Sequence, residues 1–276
     1  MGRSVRKTWV IKADATNVID LSYPVKPGMT LAQPTYGELI FDIHEMNRVK
    51  DVPEVDETGY PLEGFYSRVV RSHPNGIMEG YGTHVEASSH AFGARGRNID
   101  EYPLSAFIGP GVVIDISDRT EGEPGYWVSF GEVSAWEKRH GKIPSGAIVV
   151  LNTGRHKYWG DYDRYFGVDK NGEHHYPGIR PEACELLVER RVSAVGTDAP
   201  TADGRPRIPV PNYPPDRRPH GLPREILMRP GNDILFIGYL ANVDKLPEVG
   251  SLIICAPVNF VGGSGGMARI LAVLPE

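Results

Sequence analysis

Cysteine is nearly absent from this 276-residue chain: Cys184 and Cys255 are the only two. Two cysteines make no disulfide framework. Both lie in apolar stretches, so they are expected as buried free thiols. No apolar run approaches the roughly 18 residues that a membrane span needs. The opening Met1-Gly2-Arg3-Ser4-Val5-Arg6 has neither the apolar region of a signal peptide nor the Ser or Thr of a myristoylation signal. Basic excess is missing too: Lys plus Arg number 30 against 35 Asp plus Glu, a net charge of −5. That argues against nucleic-acid binding, which needs a cationic face. Internal repeats and low-complexity blocks are also lacking. The expectation is a cytoplasmic protein with neither membrane nor nucleic-acid partners.

Turn formers, by contrast, are plentiful. The chain has 32 glycines and 24 prolines, about a fifth of its length where roughly 12% is usual. With 40% hydrophobic residues a core is available, so the surplus reads as many turns and ordered loops. Short β-branched runs at 112–116, 147–151, 192–196, 234–237, 252–255 and 268–273 have the length and flanking turns of buried strands. Helices are expected over 130–140 and over 180–191, the second with Pro181 in its first turn. This pattern alone supports α/β or α+β. We expect one domain over 18–276 behind an N-terminal segment, 1–17.

Several side-chain groups admit more than one role. The aromatics Tyr158, Trp159, Tyr162, Tyr165 and Phe166 read first as a packed loop or subunit contact, second as a wall over a ligand. The proline-rich stretch 201–222 is long for a connection, and such loops are usually functional or disordered. His174-His175 reads as a turn pair, and His44, His73, His140 and His156 as surface or satisfied side chains. Asp198 and Thr201 lie at a strand's end, where polar groups meet a pocket; Asp198 could equally cap its own turn. The glycines of 262–266 lack the Lys-Ser/Thr of a phosphate loop and read as a turn before the last strand.

The densest polar cluster is Glu79-Gly80-Tyr81-Gly82-Thr83-His84-Val85-Glu86-Ala87-Ser88-Ser89-His90. If it is extended, alternation puts His84, Glu86, Ser88 and His90 on one face, with Val85 and Ala87 turned into a core. Two imidazoles and a carboxylate are costly to bury unless they bind a metal, exchange protons or hydrogen-bond one another.

These residues resemble the signature His-x-Gly-Thr-His-x-Asp-x-Pro-x-His of the cyclase family, the group that includes bacterial kynurenine formamidase and isatin hydrolase. The resemblance continues in order through Asp20-Leu21-Ser22-Tyr23-Pro24, Asn152-Thr153-Gly154, Gly196-Thr197-Asp198-Ala199-Pro200 and Leu240-Ala241-Asn242. It implies an α/β fold with a mixed β-sheet core and few helices, and a homodimer or homotetramer. It also implies a zinc or manganese site built from the first two signature histidines and the Asp.

The chain departs from that pattern. The first signature His is Gly80, the Asp is Glu86, the Pro is Ser88, and the late Glu aligns with Gly238. The late His has no clean match; His220 approaches it only if the proline-rich loop shifts register. With a carboxylate and two histidines kept but the metal cage broken, the expectation is acid–base chemistry by His84, Glu86 and His90, without a cofactor. The substrate would be a small cyclic, aromatic or polyketide-like carbonyl compound, with Tyr81, Thr83, Asp198 and Thr201 as binding residues. The outcome would be ring closure, ring opening or isomerisation. The alternatives are a metal-dependent hydrolase of an amide, lactam or lactone, holding zinc or manganese on His84, Glu86 and His90, and a non-catalytic descendant that binds a ligand or partner.

Overall fold

The computed structural model describes residues 16–25, 79–206 and 222–275, together with the backbone of four short strands at 29–30, 38–39, 41–45 and 68–72. Eight strands form the main sheet: β1 (Val18–Asp20), β2 (His84–Glu86), β3 (Ile108–Asp115), β4 (Ile148–Asn152), β5 (Ala194–Thr197), β6 (Leu235–Gly238), β7 (Val249–Pro257) and β8 (Gly265–Val273). Their order is β1-β8-β7-β3-β4-β5-β6-β2. Strand β2 also pairs with β8, so the sheet closes on itself as a barrel. Strands β3 to β6 run parallel, and the other pairings are antiparallel. The mixed sheet with few helices is the expected fold.

Both faces of the parallel strands are covered, which is why their sequences read as unbroken apolar runs. In β4, Val149 and Leu151 join an outer core with Val133, Trp136, Ala183 and Leu187, while Ile148 and Val150 join an inner core with Val85, Ile237 and Ile270. Each such side chain, fully buried, contributes about 1.5–3 kcal/mol. The outer core lies under two helices. Helix α2 (Phe130–His140) starts at a capping box between Ser129 and Glu132, and helix α3 (Pro181–Arg190) has proline in its first turn. Both match the expected spans to within a residue. Cys184 and Cys255 are free and buried, one in each core.

A second, three-stranded sheet joins Trp127–Val128, Tyr176–Ile179 and Asp203–Arg205. Its last strand brings Asp203 towards the short helix α4 (Leu222–Leu227), whose Ile226 and Leu227 anchor it in the outer core. Among the described residues no helix is long and apolar enough to cross a membrane. Most of the proline-rich stretch, 207–221 with His220, lies outside the described residues, as do the side chains of His44 and His73.

Candidate active site

Strand β2 lies between β6 and β8. His84 is opposite Gly238 on one side and Met267 on the other; Glu86 is opposite Phe236 and Gly265. Alternation turns Val85 into the inner core and His84 and Glu86 to the other face, as expected. Gly82 enters the strand with φ of +64°, a conformation that glycine adopts at no steric cost. Its carbonyl then lies 2.8 Å from His84 Nδ1. The Thr83 hydroxyl donates to the Tyr239 carbonyl at 2.6 Å and accepts from the Tyr23 amide at 3.0 Å, tying β2 to two other segments.

The extended segment is shorter than the alternation predicts. It ends at Glu86, and residues Ser88–Phe92 form a helical turn, α1. Ser88 therefore leaves the shared face: its hydroxyl donates to the Met228 carbonyl at 2.6 Å. Gly96 backs onto this turn, where a side chain would not fit. A Cβ at Gly96 would meet the Ser88 backbone at 2.4 Å. His90 returns to the cluster through the helical turn instead, with Nε2 3.7 Å from Glu86 Oε1. The three sequence-predicted groups are thus brought together. His84 Nε2 is 3.2 Å from Glu86 Oε1. The side chains of His84 and Glu86 are each 6% exposed and that of His90 is 37% exposed, so His90 is the solvent-facing flank.

The sequence reasoning missed Arg224. From helix α4 its Nε donates to Glu86 Oε2 at 2.8 Å and its Nη2 to Glu86 Oε1 at 2.7 Å, a bidentate fork. Its Nη1 donates to Asp203 Oδ2 at 2.7 Å, and its backbone amide to Asp203 Oδ1 at 3.2 Å. The guanidinium also lies over the Phe236 ring, 5.0 Å from its centroid. Nothing in the spacing announces this contact, because Arg224 is 138 residues from Glu86.

Electrostatics follow from that clamp. Burial alone would raise the Glu86 carboxyl, but the Arg224 charge, then His90 and the His84 hydrogen bond, outweigh it and hold Glu86 well below the usual carboxylate range. Loss of solvent lowers His90, and the attraction of Glu86 offsets this only in part. Burial would lower Arg224, but Glu86 and Asp203 together raise it. The Gly82 carbonyl can only accept, so His84 Nδ1 carries a proton. The contact with Glu86 is a hydrogen bond only if Nε2 is protonated as well.

The other expected binding residues are placed as follows. Tyr81 is buried at the approach to β2, and Thr201 is buried with its hydroxyl accepting from the Asp203 amide. Asp198 is fully buried. Its Oδ1 accepts from the amide and hydroxyl of Thr153, and its Oδ2 from the amide of His156, with His156 Nδ1 2.7 Å away. His156 is therefore a satisfied side chain, as is His175 against Asp169. The aromatic segment packs on itself and reaches the site. Tyr23 stacks on Trp159 at 3.7 Å, Trp159 meets Tyr165 and Tyr239 edge-on, and Tyr239 lies 5.7 Å from the His84 ring. A cleft of about 640 Å³ lies elsewhere, bordered by Thr120, Arg155, Lys157, Arg164 and His175.

The family resemblance implies a metal, and the residues present do not suit one. Gly80 and Gly238 offer no ligating side chain. Both press on His84: a Cβ at Gly80 would lie 3.4 Å from Nε2 and one at Gly238 3.0 Å from Cε1. Both oxygens of Glu86 are taken by a guanidinium. Among the described residues no group of three or more His, Cys, Asp or Glu is arranged to hold a cation.

Fold and signature together define a class. A family model described as "Putative cyclase" matches residues 19–204, and the chain belongs to the cyclase family, an enzyme family. Among individual relatives, isatin hydrolase of Roseibium aggregatum is 31% identical over 209 residues, covering 72% of this chain and 73% of that protein. The structure of isatin hydrolase A from Labrenzia aggregata, bound to benzyl benzoate, superimposes with a TM-score of 0.73 at 27% identity, covering 94% of each chain. Isatin hydrolase A from Ralstonia solanacearum gives a TM-score of 0.72 at 28% identity, covering 94% of this chain and 92% of that one.

Proposed function

We propose that this chain is a hydrolase of small cyclic carbonyl compounds that opens a lactam or lactone ring by proton transfer at His84. One observation carries the reading: His84 is buried with Nδ1 against the Gly82 carbonyl and Nε2 against Glu86. The likeness to isatin hydrolases supports it, since isatin is a benzo-fused lactam.

The chemistry balances with water as the second reactant. Water oxygen bonds to the ring carbonyl carbon, the carbon–nitrogen or carbon–oxygen bond of the ring breaks, and a proton reaches the departing atom. His84, when both ring nitrogens carry protons, releases the Nε2 proton from Glu86 to that atom and recovers one from the attacking water, while the Nδ1 bond to the Gly82 carbonyl keeps the ring in place. Glu86, kept ionised by Arg224, accepts from Nε2 again once that proton is restored. General acid–base catalysis of this kind contributes about 10²–10⁴ in rate. The aromatic rings of Tyr239, Trp159, Tyr165 and Tyr23 favour a substrate with a fused aromatic ring. Ring closure uses the same groups in reverse and is the second outcome the arrangement supports.

The test is turnover of a panel of benzo-fused lactams and lactones, isatin included, by purified wild type and His84→Ala. Wild type should open at least one member. His84→Ala should lose about 10²–10⁴ in kcat/KM with an unchanged circular dichroism spectrum. Turnover that survives His84→Ala, or a wild type inert towards the whole panel, overturns the reading.

A further inference from the structure

We propose that the Arg224 guanidinium is the permanent cation of this site, standing on the Glu86 carboxylate where the family resemblance implies a divalent metal. The catalytic half of this inference rests on the ring-opening reading; the metal half stands without it.

Three observations converge. First, the fork from Arg224 fills both Glu86 oxygens, at 2.8 and 2.7 Å. Zinc binds a carboxylate oxygen at about 2.0–2.2 Å, and each oxygen here already accepts from the guanidinium. Second, the remaining ligand positions are gone or committed. His84 Nδ1 is turned to the Gly82 carbonyl, His90 Nδ1 lies 3.4 Å from the Ser264 hydroxyl and its Nε2 faces Glu86, and Gly80 and Gly238 flank the His84 ring. Third, Asp203 grips the guanidinium from its other side, Nη1 donating to Oδ2 at 2.7 Å, so two buried carboxylates hold this cation in place.

The substitution also keeps a metal's electrophilic role. A guanidinium has five N–H donors. Glu86 and Asp203 take three. Among the described residues nothing takes the other two, one on each Nη. These donors are fixed by the carboxylates, by the Phe236 face and by helix α4. They are the groups that bind the oxyanion developing on the substrate carbonyl while His84 handles the proton. Fixed donors of this kind cost nothing to reorganise during reaction.

The experiment uses the full chain, expressed with zinc or manganese in the medium and purified without chelator. Metal content is read by elemental mass spectrometry, and manganese binding by electron paramagnetic resonance. Wild type should carry no stoichiometric zinc or manganese, and dialysis against EDTA should change neither turnover nor the thermal midpoint. Arg224→Gln, which loses the charge and retracts from the carboxylate, should bind manganese more tightly than wild type. Arg224→Lys keeps the charge without the fork; it should stay metal-free and lose about 10²–10³ in kcat. If Arg224→Gln does not fold, wild-type metal content and Arg224→Lys decide the matter. Stoichiometric metal in wild type, or full turnover by Arg224→Lys, overturns the inference. A wild type without metal and without turnover sinks the ring-opening reading and the electrophile role, and leaves the cation assignment standing.

Discussion

Among the described residues two histidine–carboxylate pairs are buried, and they are built to different ends. His156 lies between Asp198 and Asp244, at 2.7 and 3.2 Å, and the Asp198 carboxylate is filled out by Thr153 and the His156 amide. Among the described residues all of its partners belong to the scaffold, and both Asp198 oxygens are engaged by them. His84 shares its carboxylate with a guanidinium that has donors to spare, and its neighbour His90 reaches solvent. The residue types are nearly the same. The difference lies in what remains uncommitted once the scaffold has been satisfied, and that remainder marks the candidate site.

Four measurements can break or sharpen this contrast. The largest effect belongs to Arg224→Met. It leaves Glu86 and Asp203 buried without their cation, and unpaired buried charges cost about 3–5 kcal/mol; urea unfolding should show the loss. Next comes Asp198→Asn, expected to cost about 1.5–3 kcal/mol through weakened bonds to a charged acceptor. Its turnover should fall only with the folded fraction. A specific loss of kcat would erase the distinction between the two pairs.

Acid comes third. The folded state holds the Glu86 carboxyl below its usual range. Its stabilisation is therefore complete above the ordinary glutamate value of about 4.3 and drains away as pH falls through the lower folded value. Stability measured against pH should show no Glu86 contribution to the slope between about pH 5 and 8, and a decline below about 4 that Glu86→Gln makes shallower. The smallest effect is Trp159→Leu. It removes the stack on Tyr23 and should cost about 0.5–1.5 kcal/mol beyond lost area, read as a modest drop in thermal midpoint.

The contrast also explains what could be read from the chain. The runs at 112–116, 147–151 and 192–196 announce strands because both faces are buried, so apolar residues are unbroken. His84 and Glu86 were legible from alternation across Val85. His90 was legible as a member but for the wrong reason: it arrives through a helical turn, against which Gly96 packs closely. Arg224 was not legible. A guanidinium fork to a residue 138 positions away leaves no period and no spacing. The glycines at 80 and 238 did carry a signal, as ligand positions emptied. The guanidinium that stands on Glu86 appears only once the chain is folded.

Strand β2 is the clasp of the barrel, held by β6 on one side and by Gly265–Met267 of β8 on the other. During synthesis, residues 84–86 leave the ribosome long before either neighbour exists. Until β8 emerges, a nascent chain has the imidazole and the carboxylate but lacks one side of the seam that holds them. The imidazole and the carboxylate are fixed in the same event that seals the sheet.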